Sequence, residues 1–252
     1  MLLAVIFLAF GILAWVAAGV VLYFRRRQLR KTDSMRRIET SRAADVPELT
    51  PGSPVEVKGT LRCPEPLEGE MSGMSCAYYS SRVIREYQDT DRDADGDTRT
   101  RRRSEVVASS EKFAPFAVED ASGKVSVRGE GADVDAAEVV NRFEKETSGS
   151  VTLGGLTLNP GTGERTLGYR YVESILPVDA PVYVLGSAGG GGIQAFESRD
   201  ADDSFLISHR SEEQLEKKYR KDALTLALVA LGLLLFGAAF VGVGAAAALG
   251  YL

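Results

Sequence analysis

Phe116-Ala-Val-Glu-Asp-Ala-Ser-Gly-Lys-Val-Ser-Val127 decides the fold class of the middle of this chain. Phe116 to Glu119 and Lys124 to Arg128 alternate apolar and polar side chains, as half-buried strands do. Asp120 to Gly123 supplies turn chemistry between them, so the stretch predicts a tight β-hairpin. Upstream, Val55, Val57 and Gly59 to Leu61 alternate in the same way, and Ala77 to Tyr87 is dense in Tyr, Val and Ile. Pro64 to Gly73 reads as a loop between those two strands. The polar insertion Gln88 to Arg103 separates Ala77–Tyr87 from Glu105–Phe113, a pattern that predicts a long hairpin with an elaborated tip. Downstream, Arg165 to Leu176, Pro181 to Gly186, Ile193 to Phe196 and Phe205 to Ser208 read as strands punctuated by Gly and Pro. Asp135 to Lys145 carries Ala136, Val139, Val140 and Phe143 at helical spacing, and predicts a short amphipathic helix. The expected fold is mostly β (α+β), and the Val-x-Val-x-Gly opening at Val55 fits an OB-like barrel.

This β-rich centre is bracketed by two long apolar runs. Leu2 to Phe24 and Ala223 to Leu252 contain no charged side chain. At 1.5 Å per residue the first is about 34 Å long, enough to cross a hydrocarbon core of about 30 Å. It lacks the basic start and cleavage site of a secretory signal. Ser211 with Gln214 forms a capping box, so a juxtamembrane helix is expected to run into the second span. The domain reading is therefore span (1–24), basic collar and linker (25–53), β-rich domain (54–210), juxtamembrane helix (211–222), and span with a short tail (223–252). Gly11, Ala14 and Ala18 on the first span, and Ala238 and Gly242 on the second, permit close helix approach. Pairing within the chain is the primary expectation and homo-oligomerisation the alternative.

Lys and Arg beside a span are retained on the cytoplasmic side. Residues 25–42, including Arg25, Arg26, Arg27, Arg30 and Lys31, carry +6, and residues 210–221 carry +2. The expected localisation is the cell membrane, two-pass, with both termini outside and the central domain cytoplasmic. With Asp222 at −1 and the whole chain at −5, residues 43–209 hold −12. An acidic body is a poor host for nucleic acid, whereas the collars are drawn to anionic headgroups at about 1 kcal/mol per residue. A bilayer and a protein partner are thus expected, and nucleic acid is not.

Reactive constellations are sparse. Asp91, Asp93, Asp95 and Gly96 match half of an EF-hand calcium loop, but position twelve is Arg102 rather than Glu. A solvated hairpin tip is the reading preferred. Gly189 to Gly192 lacks the Lys and Ser/Thr of a phosphate loop, and reads as a turn. Cys63 and Cys76 are the only cysteines and His209 the only histidine, too few for a cross-braced zinc domain. Cys76 has no basic neighbour in sequence, so a buried thiol is expected, and a cytoplasmic setting favours two free thiols over a disulfide. No cofactor is expected.

Val55-Glu-Val-Lys-Gly-Thr-Leu61, Cys76-Ala-Tyr-Tyr79, the 116–127 hairpin, Tyr171-Val-Glu173 and Val182-Tyr-Val-Leu-Gly186 follow one another in the order found in a known family. With a span on either side, the chain resembles the GIDE domain, also called the beside-a-membrane (BAM) domain, of mitochondrial RING-type ubiquitin ligases and their shorter prokaryotic relatives. The resemblance covers residues 50–221 and singles out Gly59, Cys76, Tyr79, Phe116, Asp120, Gly123, Glu173 and Gly186 as structural positions. It implies a tethered domain that engages other proteins at a membrane. Ligase activity is not carried over, because no cysteine follows Cys76 to build a RING. The expectation is a non-catalytic, membrane-tethered interaction module, with a ligase-family role in a ubiquitin-like system as the alternative.

Overall fold

The structure is a computed structural model and describes residues 2–92, 98–145, 151–153, 156–158, 165–196 and 205–249. It divides into a helical unit, chiefly residues 1–38 and 212–252, and a β unit, chiefly residues 39–199 and 204–211. The helical unit consists of α1 (Leu2–Arg37) and α2 (Glu212–Ala248). Both are long and apolar enough to cross a membrane, in α1 over Val5–Arg26. The basic collar continues α1 as helix rather than opening into a linker.

The two helices pack against each other antiparallel. Phe7 and Phe10 pack with tilted rings against Phe240, while the Trp15 indole N–H donates to the Leu234 carbonyl at 3.3 Å. Small residues make the approach. A Cβ on Gly11 would lie 2.6 Å from Val241 Cγ2, and one on Gly237 would lie 2.5 Å from Trp15 Cδ1. Ala14 and Ala18 are buried as expected. On α2, however, the buried stripe is Ala230, Gly237 and Gly244, and a Cβ on Gly242 would meet nothing. For pairing within the chain the Ala238/Gly242 expectation is corrected: the buried small residues of α2 repeat every seven positions, which keeps them on one seam.

The β unit runs β1 (Pro54–Arg62), β2 (Leu67–Glu68), β3 (Ser75–Arg92), β4 (Thr98–Phe113), β5 (Phe116–Glu119), β6 (Lys124–Val127), β7 (Asp133–Asp135) and β8 (Ala137–Lys145). It continues through β9 (Val151–Leu153), β10 (Leu156–Leu158), β11 (Arg165–Pro177), β12 (Pro181–Gly189), β13 (Gly192–Gln194) and β14 (Leu206–Ser208). β9 and β10 form a separate two-stranded pair. The long hairpin β3–β4 extends much further than its apolar centre, and the 116–127 hairpin is β5–β6.

Five strands close a barrel in the order β1-β5-β6-β13-β12 and back to β1. β6 and β13 are parallel, and the other four joints are antiparallel. Val55, Val57 and Leu61 of β1 meet Val118, Val125, Val127, Val184 and Ile193 in one core. Gly59 and Gly186 mark close approaches: a Cβ on Gly59 would sit 2.3 Å from the Glu119 carbonyl oxygen, and one on Gly186 2.9 Å from that of Gln194. Gly190 and Gly191, at φ 58° and 76°, make the β12–β13 turn, as a two-residue hairpin loop requires.

Two excursions leave the barrel and pair with each other. β2–β3–β4 lies between the first and second barrel strands, and β7–β11 between the third and fourth. β3 joins β11 antiparallel, and β11 joins β8, giving a second, five-stranded sheet.

Two sequence expectations fail here. Residues 137–145 are strand β8 and not helix, because Val139 and Val140 are β-branched and the segment completes the free edge of β11. Residues 39–53 are not a linker. Ala43 and Val46 are fully buried in the barrel core, and Ser41 N–H donates to the Glu56 carbonyl at 2.7 Å.

Candidate functional site

Glu173 of β11 is fully buried, opposite Ser81 of β3. Three donors converge on its carboxylate: Met71 N–H at 2.9 Å, Ser72 N–H at 2.9 Å and Ser81 Oγ at 2.8 Å. Burial pushes the group up, but the hydrogen bonds from Ser72, Met71 and Ser81 outweigh it and hold Glu173 below the usual carboxylate range. The carboxylate therefore pins the turn between β2 and β3, residues 69–74, onto the second sheet. Gly69 leaves room for this, since a Cβ there would lie 2.7 Å from Glu173 Oε2. Glu70 on the same turn accepts from Tyr79 Oη at 3.0 Å and Ser110 Oγ at 2.9 Å.

Cys76 is fully buried next to this strap, packed with Tyr79 and Ile175, with Leu67 and Val139 against them. Its thiol donates to the Leu67 carbonyl at 3.7 Å. Burial, reinforced by the Glu173 charge, pushes the thiol up to about 11, opposite to what a nucleophile needs. Cys63 and Cys76 are both free thiols.

Asp120 organises the barrel hairpin. Its Oδ1 accepts from Ser122 N–H at 2.7 Å and Gly123 N–H at 3.1 Å, and its Oδ2 from Ala43 N–H at 2.9 Å. Burial opposes ionisation, yet the Ser122, Ala43 and Gly123 donors lower Asp120 to about 2. Phe116 is buried in the core beside this hairpin. Glu56, which the sequence reading passed over, is buried on β1 and accepts from Tyr183 Oη and Thr40 Oγ1, both at 2.7 Å. An acidic residue on an alternating strand resembles a solvent-facing one, and nothing local signals its distant partners.

The second feature is an open cleft of about 700 Å³ on the opposite face of the second sheet from Glu173. Arg102, Lys145, Arg165 and Arg170 line it with one carboxylate, Glu86, and with Phe143. Arg170 donates to Glu86 through Nε at 3.0 Å and lies 5.6 Å from the centre of the Phe143 ring.

Other predicted residues fall elsewhere. Asp93, Asp95 and Gly96 of the half calcium loop lie outside the described residues, and Asp91 stands in β3 opposite Arg99. The loop is thus flanked by strands, where an EF-hand has helices. Among the described residues no group of three or more His, Cys, Asp or Glu is placed to hold a metal ion. Arg25, Arg26, Arg27, Arg30 and Lys31 follow one another on α1. His209 follows β14, with its Nδ1 2.8 Å from the Asp135 carbonyl.

Compared with known families, residues 85–244 match GIDE, described as an E3 Ubiquitin ligase. The chain belongs to the GIDE family. The match takes in most of the second sheet, four barrel strands and most of α2. Glu173, Asp120 and Gly123 fall within the GIDE match, whereas Gly59, Cys76 and Tyr79 precede it. No curated protein and no solved structure matches the chain.

Proposed function

We propose that this GIDE chain is a membrane-tethered, non-catalytic protein-interaction module built on a barrel of the OB type. The barrel reading is supported by strand order: the first barrel strand joins the second and the fourth, and the third runs parallel to the fifth. The observation that carries the non-catalytic reading is the commitment of the buried reactive groups to structure. The Cys76 thiol is raised and covered, and the Glu173 carboxylate is occupied by two amides of the strap it holds and by Ser81 of β3. Two cysteines and one histidine cannot supply the four ligands per zinc of a RING.

The basic flanks support a topology with both termini outside and the β unit in the cytoplasm. Protease added to intact cells should spare residues 39–211, and cleavage there would reverse this orientation. A second reading, favoured by the ligase description of the family, makes the chain the tethering subunit of a ubiquitin-like conjugation complex. The deciding experiment incubates the full chain with ubiquitin-activating and conjugating enzymes. No transfer is expected without a separate ligase subunit, and transfer by the chain alone would overturn the module reading.

A further inference from the structure

We propose that the cleft on the β4–β3–β11–β8 face binds a small anion carrying a phosphate monoester or pyrophosphate group. Register builds the site. Arg102 of β4 and Arg165 of β11 both stand opposite Gln88 of β3, so all three side chains leave the same face. Two strand spacings put the arginine Cα atoms about 10 Å apart, within converging reach of two guanidinium groups. In the next row, Lys145 of β8 faces Gly168, and Gly168 faces Glu86. Gly168 lets β8 approach β11 closely there, since a Cβ would strike the Glu144 carbonyl at 2.2 Å and the Phe143 ring at 2.6 Å.

Among the described residues, the single carboxylate lining the cleft is already committed. Glu86 Oε1 takes Arg170 Nε at 3.0 Å and Nη2 at 2.9 Å, while Arg170 Nη1 donates to Asn141 Oδ1 at 3.3 Å. Arg102 and Arg165 have no acidic partner among the described residues, in contrast to their neighbours Arg103, paired with Asp89, and Arg85, paired with Glu105. Two arginines with no acidic partner among the described residues, set on one face of a −12 body, form a site for localised negative charge.

The irregularity in β11 points the same way. A bulge between Thr166 and Gly168 brings Arg165 to this face, and bulges serve elsewhere to re-aim a side chain beside a site. Guanidinium forks match tetrahedral phosphate oxygens bidentately. The cleft volume of about 700 Å³ suits a small molecule. Beyond a Debye length of about 8 Å the acidic body repels a long polyanion only weakly, but along its own surface it disfavours one. The ligand is therefore a compact anion and not a nucleic acid strand.

This inference is independent of the module reading, because the cleft binds its anion whether or not the domain recruits proteins. The test titrates pyrophosphate into the full chain in nanodiscs of neutral lipid and follows heat. Saturable binding that weakens with salt is expected. The double variant Arg102→Gln/Arg165→Gln should weaken it by on the order of a hundredfold, about tenfold for each charged contact. Arg101→Gln, which removes one positive charge from the opposite face, should leave it within about twofold. Unchanged circular dichroism establishes that the variants fold. Competition then identifies the source: displacement by vesicles of phosphatidylinositol phosphate assigns a lipid headgroup, and displacement only by soluble phosphate esters assigns a free metabolite. Either outcome supports the site. Absence of pyrophosphate binding, an Arg101→Gln loss equal to that of the double variant, or tighter binding of a single-stranded oligonucleotide overturns it.

Discussion

Replacing Glu173 by Gln tests whether one buried carboxylate holds the strap. The glutamine is nearly isosteric, so packing is preserved, but its NH₂ group must face one of three donors, Met71 N–H, Ser72 N–H or Ser81 Oγ. Hydrogen bonds to a charged group contribute about 1.5–3 kcal/mol each, and a buried donor left unpaired costs about 1–3 kcal/mol. Losing the charge from two bonds and the third bond outright should destabilise the closed strap by about 3 kcal/mol, which is two orders of magnitude in its opening equilibrium. Cys76 is a built-in reporter, because opening residues 69–74 frays β2 and lifts Leu67 from the thiol. In a Cys63→Ser background, thiol labelling should accelerate by about a hundredfold in Glu173→Gln.

Removing the Glu173 charge also makes the Cys76 thiolate easier to form, which raises labelling without opening. Ser81→Ala separates the two effects, since it deletes one donor and leaves the charge. It should accelerate labelling by about tenfold. The pH dependence gives a second check. Glu173 is depressed when folded, so its stabilisation is complete above the unfolded carboxyl value of about 4.3 and is lost as pH falls through the lower folded value. Thermal unfolding of the parent should show that acid loss, and Glu173→Gln should lack it. Equal labelling rates in parent, Glu173→Gln and Ser81→Ala would refute the reasoning.

Asp120→Asn should remove a separate acid transition. The Asp120 contribution is complete above an unfolded value of about 3.9 and disappears toward about 2, so the melting temperature of the variant should change less across that window than the parent's. Gly59→Ala puts a methyl carbon 2.3 Å from a backbone oxygen that cannot yield without opening the β1–β5 joint. A loss of about 1–3 kcal/mol is expected, read by denaturant titration, and an unchanged midpoint would remove the steric account of this glycine. Gly237→Leu drives a side chain into Trp15 and should part α1 from α2, lowering energy transfer between labels placed on the two helices. Gly242→Leu, on a face with no neighbour, should leave that transfer unchanged.

What could be read from the sequence was whatever is encoded within one element. Alternation located the barrel strands and their hairpin, and uncharged length located both spanning helices. What could not be read was pairing. Ala136, Val139, Val140 and Phe143 fit a helical stripe, but β8 is made by the vacant edge of β11, to which no local pattern refers. Ala43 and Val46 sit among polar residues and are captured by the barrel because Asp120, 77 positions on, takes the Ala43 amide. Glu56 and Glu173 look like solvent-facing members of strands until partners as far as 127 and 102 residues away enclose them.

The cleft follows the same logic. Arg102 belonged to a polar insertion and Arg165 to the start of a strand, and only the shared partner Gln88 makes them neighbours. Side chains alternate with period two, so a one-residue shift in either pairing would send one arginine to the Glu173 side of the sheet. The β11 bulge performs that shift once, between a strap-binding half, where register presents Glu173 to Ser81, and a cleft-forming half, where it presents Arg165 beside Gln88. A single strand thus serves a buried anionic anchor on one face and an open cationic cleft on the other, with the extra residue setting the face on which Arg165 emerges.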